Sequence, residues 1–182
     1  DLKIISDPKN LIQIINEIKI TCLYMSVTFL RLLKSNHTKK TNEIIFTIDR
    51  IGSCGEPLAH EVGEWALRFF KPKRKSIVNT YFQTETGGVL VAPRDEDGIP
   101  DDLSSVGKPR EELGLFIAKD KFTEQEIEEN NLNRDEILIK NRWKGLFECV
   151  LSDRKVDYFT SNGFFRLHDV GFFDKKGYLY IG

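Results

Sequence analysis

Residues 51–81 read IGSCGEPLAHEVGEWALRFFKPKRKSIVNTY, and this stretch decides the fold. A strand-like opening runs into Gly52-Ser53-Cys54-Gly55-Glu56-Pro57, a turn built from two glycines and a proline. Leu58, Val62, Trp65, Ala66 and Phe69 then recur at helical spacing, which predicts a helix with one buried face. Pro72 cannot continue that helix, because it lacks an N–H and its ring collides with the preceding turn. Residues 76–81, with Ile77, Val78, Thr80 and Tyr81, predict a second strand. A strand, a helix and a strand joined in this way make a crossover unit, whose strands lie parallel.

The same alternation extends toward the N-terminus. Leu11, Ile14, Ile15 and Ile18 form a helical stripe with Pro8 near its start, and residues 20–24 read as a short buried strand. Ser26 is placed to cap a helix carrying Val27, Leu30 and Leu33, which runs out in the polar residues 35–42, and residues 44–53 contain the next strand. Beyond Gly88 the character changes. Residues 94–105 are acidic, with Gly98 and Pro100, and read as a surface loop. Strand-like runs follow at 113–118, 136–140, 164–168 and 178–181, with a Lys175-Lys176-Gly177 turn before the last and a Glu- and Asn-rich insertion over 123–134. The expected class is therefore α/β, with part of a doubly wound subdomain over 1–104 and a β-rich subdomain over 105–182.

Length and composition bound the function. At 182 residues, with 40% hydrophobic and 30% charged residues, the chain can bury a core without staples. Its 27 Lys+Arg against 28 Asp+Glu argue against nucleic acid as the main partner, and the basic run over 71–75 reads as a solvated loop. Cys22, Cys54 and Cys149 are odd in number and lack zinc-ligand spacing, which suits a reducing, cytoplasmic setting. No apolar stretch approaches the roughly 20 residues that span a bilayer. The absence of an initiator Met and the stop at Gly182 lead us to expect a piece of a longer protein.

Three clusters carry the chemistry. Gly52 to Pro57 leaves a strand where, in open α/β sheets, ligands sit. Taken alone, that cluster is more often an ordinary tight turn. Asn79-Thr80-Tyr81-Phe82-Gln83-Thr84-Glu85-Thr86-Gly87-Gly88 places two aromatics, two amides, three threonine hydroxyls and a carboxylate in ten residues. Such a loop can stack on a planar ring, hold a phosphate and bring Glu85 to a magnesium ion on a phosphate oxygen. His168-Asp169-Val170-Gly171, read as a strand end, offers a carboxylate for the hydroxyls of a ribose, and a histidine that we read as structural.

Together these clusters resemble the AMP-forming acyl-CoA synthetases of the adenylate-forming superfamily, most closely the acetyl-CoA synthetase branch. Gly55-Glu56-Pro57 with Glu64-Trp65 is similar to the family's Gly-Glu-Pro segment and helix. Residues 81–88 are similar to its Trp-Trp-Gln-Thr-Glu-Thr-Gly-Gly signature, and Ala92-Pro93-Arg94, Gly107-Lys108-Pro109 and Asp169 with Asp174, Gly177 and Tyr178 follow in order. The resemblance implies the adenylate-forming fold, with a distorted β-barrel as its second part. It implies that Gly55, Glu56 and Pro57 line an adenine pocket, and that Asn79, Thr80, Tyr81, Phe82, Gln83 and Thr84 wrap the adenine and α-phosphate. Glu85 would serve Mg2+, Asp169 the ribose, and Cys54 and Phe82 the acyl pocket. ATP, Mg2+ and CoA would be the cofactor and co-substrates, a carboxylic acid the small-molecule partner, and no enzyme nucleophile is expected.

The departures from the family pattern are specific. Phe82 stands where acetate-specific members usually have the second Trp and Cys54 where they have Val, so the acyl pocket gains volume and propionate becomes a candidate substrate. Asn79 replaces the usual Asp, and His168 the usual Gly. No Gly- and Ser/Thr-rich phosphate loop precedes Ile51, and the family's C-terminal catalytic-Lys domain is not within the chain, so the 182 residues alone are expected to be inactive. Two other readings stand beside this one: a different acyl or aryl adenylate-forming ligase, and a truncated nucleotide-binding or interaction module.

Overall fold

The computed structural model describes residues 5–37, 47–118, 134–147 and 156–182. These residues fall into two compact units, Asp1–Asn79 with Ile99–Ser104, and Thr80–Gly98 with Ser105–Gly182. The boundary expected at 104/105 is therefore one of several crossings, and Thr80–Gly98 belongs to the second unit where the sequence reading placed it in the first.

The first unit runs α1 (Pro8–Glu17), β1 (Cys22–Ser26), α2 (Val27–Asn36), β2 (Arg50–Cys54), α3 (His60–Phe70) and β3 (Ile77–Asn79). The strands form a parallel sheet in the order β1-β2-β3, as the crossover pattern requires. Asp7 caps α1 by accepting the Lys9 N–H at 2.9 Å, with Pro8 at the first helical position. Ser26 Oγ caps α2 through the Phe29 N–H at 3.2 Å. Lys71, at φ 46°, closes α3 in the left-handed region, one residue before Pro72.

Register puts Leu23, Ile51 and Ile77 side by side on one face of the sheet. That face joins a core with Leu11, Ile12, Ile15, Leu30, Leu33, Val62 and Phe70, while Cys22, Tyr24 and Ser26 on the opposite face of β1 are less covered. Each buried aliphatic side chain contributes about 1.5–3 kcal/mol, so this single stripe per element is what holds the unit together. Strand 20–24 is found two residues later than expected, and residues 44–46 of the expected 44–53 strand lie outside the described residues. Lys73 and Arg74 of the basic run are exposed, and Lys73 pairs with Asp49 at 2.6 Å.

The second unit is built on an antiparallel sheet in the order β4 (Leu115–Ala118), β5 (Asp135–Ile139), β6 (Phe165–Phe173) and β7 (Leu179–Ile181). Tyr81, Leu90, Val91, Ile117, Ile137, Ile139, Phe165, Leu167 and Leu179 form its core. The expected strand 164–168 is longer than read, so His168-Asp169 lies inside β6 and not at a strand end. Residues 123–133 of the expected insertion over 123–134, and Cys149, lie outside the described residues.

Candidate functional site

In the first unit the candidate residues stand at the C-terminal ends of β2 and β3. Ser53 Oγ, fully buried, donates to Asn79 Oδ1 at 3.0 Å, and Asn79 Nδ2 donates to the Ser104 carbonyl at 3.0 Å. The Asn79 side chain thus clamps β2, β3 and the returning 99–104 segment, and its amide is engaged by the fold. Cys54 ends β2 half-buried, with Sγ 3.9 Å from the Met25 carbonyl. Gly55, at φ 86°, turns the chain, and Gly55, Glu56 and Pro57 are all exposed. The Glu56 carboxylate accepts from Arg31 at 2.8 Å and from the Thr28 hydroxyl, so α2 holds this turn at its start.

A second contact in this unit fastens the 99–104 segment. His60 Nδ1 lies 3.1 Å from Asp102 Oδ1 and accepts the Leu103 N–H at 3.1 Å. Burial by itself would raise the Asp102 carboxyl, but the Ser104 backbone and hydroxyl and His60 outweigh it and hold the group below its ordinary range.

The second unit brings three of the expected site residues into contact. The Tyr81 hydroxyl donates to Asp169 Oδ2 at 2.7 Å, and Gln83 Nε2 donates to the same oxygen at 2.7 Å and to the Leu167 carbonyl at 2.6 Å. Burial, and then the adjacent Asp169 charge, push the Tyr81 phenol well above its ordinary range, so it stays a donor at any physiological pH. Two donors on one oxygen orient the carboxylate, which has further lone-pair sites to offer a diol. Tyr81 is buried, whereas Phe82 is 40% exposed and Thr84 is also exposed.

A bulge aims Asp169. Asp135 and Glu136 pair with Gly171 and Val170, while Leu138 and Ile139 pair with Arg166 and Phe165, so Ile137 alone faces Leu167, His168 and Asp169. Two extra residues in β6 bend the strand and preserve the inward parity of 165, 167 and 169. His168 takes φ 55°, the left-handed conformation that costs a non-glycine residue about 1–2 kcal/mol. The histidine therefore occupies a glycine-like backbone position. Its ring meets Tyr158 edge-on at 5.5 Å, and its Nδ1 is 3.5 Å from Glu136, which also holds Arg166 through two bonds of 3.0 and 2.6 Å.

Thr84-Glu85-Thr86 forms a single 3-10 turn, ended by Gly87 at φ 62°. Buried Thr86 ties it: its Oγ1 accepts the Gln83 N–H at 3.1 Å and lies 2.8 and 2.9 Å from the Gln83 and Gly88 carbonyls. Trp143 Nε1 donates to the Thr86 carbonyl at 3.0 Å, and the Phe147 N–H to the Glu85 carbonyl at 3.1 Å. A Cβ on Gly87 would run into the Gly145 carbonyl. The sequence reads Thr86 as one of three hydroxyls able to hold a phosphate, whereas here it ties the turn; it does not single out Trp143, Phe147 or Tyr158, and no periodicity or spacing signals contacts made across 57 or 73 residues.

Among the described residues no three His, Cys, Asp or Glu side chains gather to hold a metal. Glu85 is a single hard oxygen donor beside a hydroxyl-bearing turn. That donor set fits a magnesium ion that arrives with a nucleotide, since Mg2+ takes one or two carboxylates and fills its remaining positions with phosphate oxygens and water. No helix among the described residues is long and apolar enough to cross a membrane.

Comparison with known proteins gives a consistent result. Residues 3–143 match the family model described as AMP-binding enzyme. Acetyl-coenzyme A synthetase 1 of Saccharomyces cerevisiae is 31% identical over 174 residues, covering 92% of this chain and 24% of the yeast protein. Acetyl-coenzyme A synthetase of Cryptosporidium parvum is 30% identical, covering 90% of this chain and 24% of its own, and that of Aeromonas hydrophila is 29% identical, covering 93% and 26%. The chain spans about a quarter of the length of these curated relatives. Among solved structures, the luciferase-like enzyme from the nonluminescent Zophobas morio mealworm superposes with a TM-score of 0.74 at 19% identity, over 97% of this chain and 40% of that one. That likeness bears on the fold.

Proposed function

The chain belongs to the AMP-binding enzyme family, and on that premise we propose that it forms the nucleotide-binding part of an AMP-forming ligase that joins a short carboxylic acid to coenzyme A. A carboxylate oxygen attacks the α-phosphorus of Mg·ATP and pyrophosphate leaves. The thiol of CoA then attacks the acyl carbonyl of the acyl-AMP, AMP leaves, and the thiol proton goes to solvent. The protein's work is positioning and stabilising phosphate charge, so neither Cys54 nor His168 is assigned a covalent role.

Asp169 accepts the ribose hydroxyls, and Tyr81 and Gln83 hold its carboxylate in the accepting orientation. Thr84 donates to the α-phosphate, and Glu85 meets the magnesium ion of Mg·ATP. Gly55, Glu56 and Pro57 present backbone to the adenine, and Asn79 and Thr80 lead the chain from the sheet into the Phe82-bearing loop. The observation that carries this reading is the meeting of Tyr81 and Gln83, from the eight-residue signature, with Asp169, 88 residues away from Tyr81. Two donors on one carboxylate oxygen turn Asp169 and leave its other lone pairs for a diol, which supports the reading.

Phe82 and Cys54 leave more room than Trp and Val, and a methylene in an apolar pocket shifts discrimination by about 1–3 kcal/mol. The preferred acid is therefore propionate at least as readily as acetate. The test is acid-dependent ATP–pyrophosphate exchange by the full-length protein with acetate, propionate and butyrate. Asp169→Ala should weaken nucleotide binding by roughly 10- to 100-fold, the equivalent of about 1.5–3 kcal/mol for bonds to a charged group. No exchange with any of the acids, or unchanged nucleotide affinity in Asp169→Ala, defeats the reading.

A further inference from the structure

Glu85 has an unusual neighbour. Its backbone is pinned by the Phe147 N–H at 3.1 Å, and the hydroxyl of Tyr158 donates to its Oε1 at 3.5 Å. Among the described residues no Lys, Arg or His forms an ion pair with it. The Tyr158 ring is itself fixed on three sides. It stacks on Phe165 at 6.2 Å and 9°, and meets Phe147 at 4.8 Å and His168 at 5.5 Å, both edge-on. Its carbonyl accepts the Arg166 N–H at 2.9 Å, which ties this residue to β6.

The choice of partner has a chemical consequence. A lysine or arginine beside Glu85 would neutralise the charge that a cation needs, and would compete with that cation for the carboxylate oxygens. A phenol orients one oxygen and leaves the negative charge in place. We propose that Tyr158 is a positioning residue for Mg·ATP, holding Glu85 Oε1 so that the carboxylate faces the magnesium ion already turned. This rests on the reading above, in which Glu85 meets that ion. Tyr158 does not touch substrate. It acts through Glu85, and its packing against His168 and Phe165 sets the phenol from the same strand that carries Asp169.

The test is calorimetric titration of ATP into the full-length protein, once with excess Mg2+ and once with EDTA, for wild type, Tyr158→Phe, Glu85→Gln and the double variant. Tyr158→Phe keeps the ring and its packing and removes only the hydroxyl. It should bind ATP as wild type does in EDTA, and lose roughly twofold to threefold of the affinity that Mg2+ adds, as expected for one long hydrogen bond at the weak end of the range. Glu85→Gln should lose more of that gain, and the double variant should fall no further than Glu85→Gln. Three outcomes overturn the inference while leaving the functional reading intact: an unchanged Mg2+ gain in Tyr158→Phe, losses that simply add in the double variant, or a Tyr158→Phe loss of equal size in EDTA, which marks a structural role. If wild type binds no ATP under either condition, the functional reading falls and this inference falls with it.

Discussion

The two units hold their candidate residues by opposite means. In the parallel-sheet unit the turn of Gly55, Glu56 and Pro57 follows its strand directly, and the polar side chains around it are engaged in the fold: Asn79 with Ser53 and Ser104, Glu56 with Arg31. In the antiparallel unit the side chains themselves converge, with Tyr81 and Gln83 on Asp169 and Tyr158 on Glu85, from positions 73 to 88 residues apart. A parallel crossover places backbone at strand ends by topology alone. A side-chain constellation drawn from several strands has to be assembled by bulges, turns and packing, and so costs strain.

Two glycines test this contrast most severely. Gly87 combines φ 62° with a Cβ direction blocked by the Gly145 carbonyl, whereas at Gly55, with φ 86°, a methyl group would meet nothing within 4 Å. Gly87→Ala should destabilise by about 2–4 kcal/mol, from strain plus overpacking, and Gly55→Ala by about 1–2 kcal/mol from strain alone. Urea unfolding of both variants checks the order, and equal costs would mean that the Thr84-Glu85-Thr86 turn is not braced from residues 143–147.

A smaller pair of effects should separate stability from binding. Asn79→Ala removes the bonds to buried Ser53 and to the Ser104 carbonyl and should cost about 1–3 kcal/mol of stability, with nucleotide affinity little changed. Tyr81→Phe retains the buried ring but removes one of the two donors that aim Asp169, so nucleotide affinity should fall several-fold. A fall in affinity for Asn79→Ala as large as that for Tyr81→Phe would erase the distinction between the units.

The smallest effects lie at the extremes of pH, with opposite signs in the two units. Asp102 titrates below its ordinary 3.8, so its contribution is present above that pH and lost as the pH falls through the depressed value. Tyr81 is raised above its ordinary 10.0, so its contribution is present below that pH and is lost only in alkali. Asp102→Asn should therefore flatten the acid limb of a stability–pH curve and Tyr81→Phe the alkaline limb, each leaving the other limb unchanged.

Most of the first unit was legible in its sequence because its elements are set by neighbours. Leu11, Ile15, Val62 and Trp65 recur at the helical period, Ser26 caps its helix through a residue three positions on, and Pro72 enforces a stop. Strand limits were less legible: β1 starts two residues late and β3 is cut short at Asn79, because pairing with β2 decides them. In the second unit the sequence located short apolar runs but missed the length of β6, since Asp169 and Gly171 stand at inward positions where an apolar side chain would have continued the alternation that reveals a strand.

The sequence by itself determined the α/β order of the first unit, the ten-residue loop and the acidic residue that could serve a nucleotide, because composition and period are local properties. Only the tertiary structure decided that Asn79 is a clamp, that Tyr81 and Gln83 belong to Asp169, that His168 takes a glycine's backbone conformation, and that Tyr158 stands beside Glu85. These depend on which residues meet across tens of positions, and that is settled by the register of β6 against β5 and by the packing of Phe147, Tyr158 and Phe165. No periodicity within the chain encodes such a meeting.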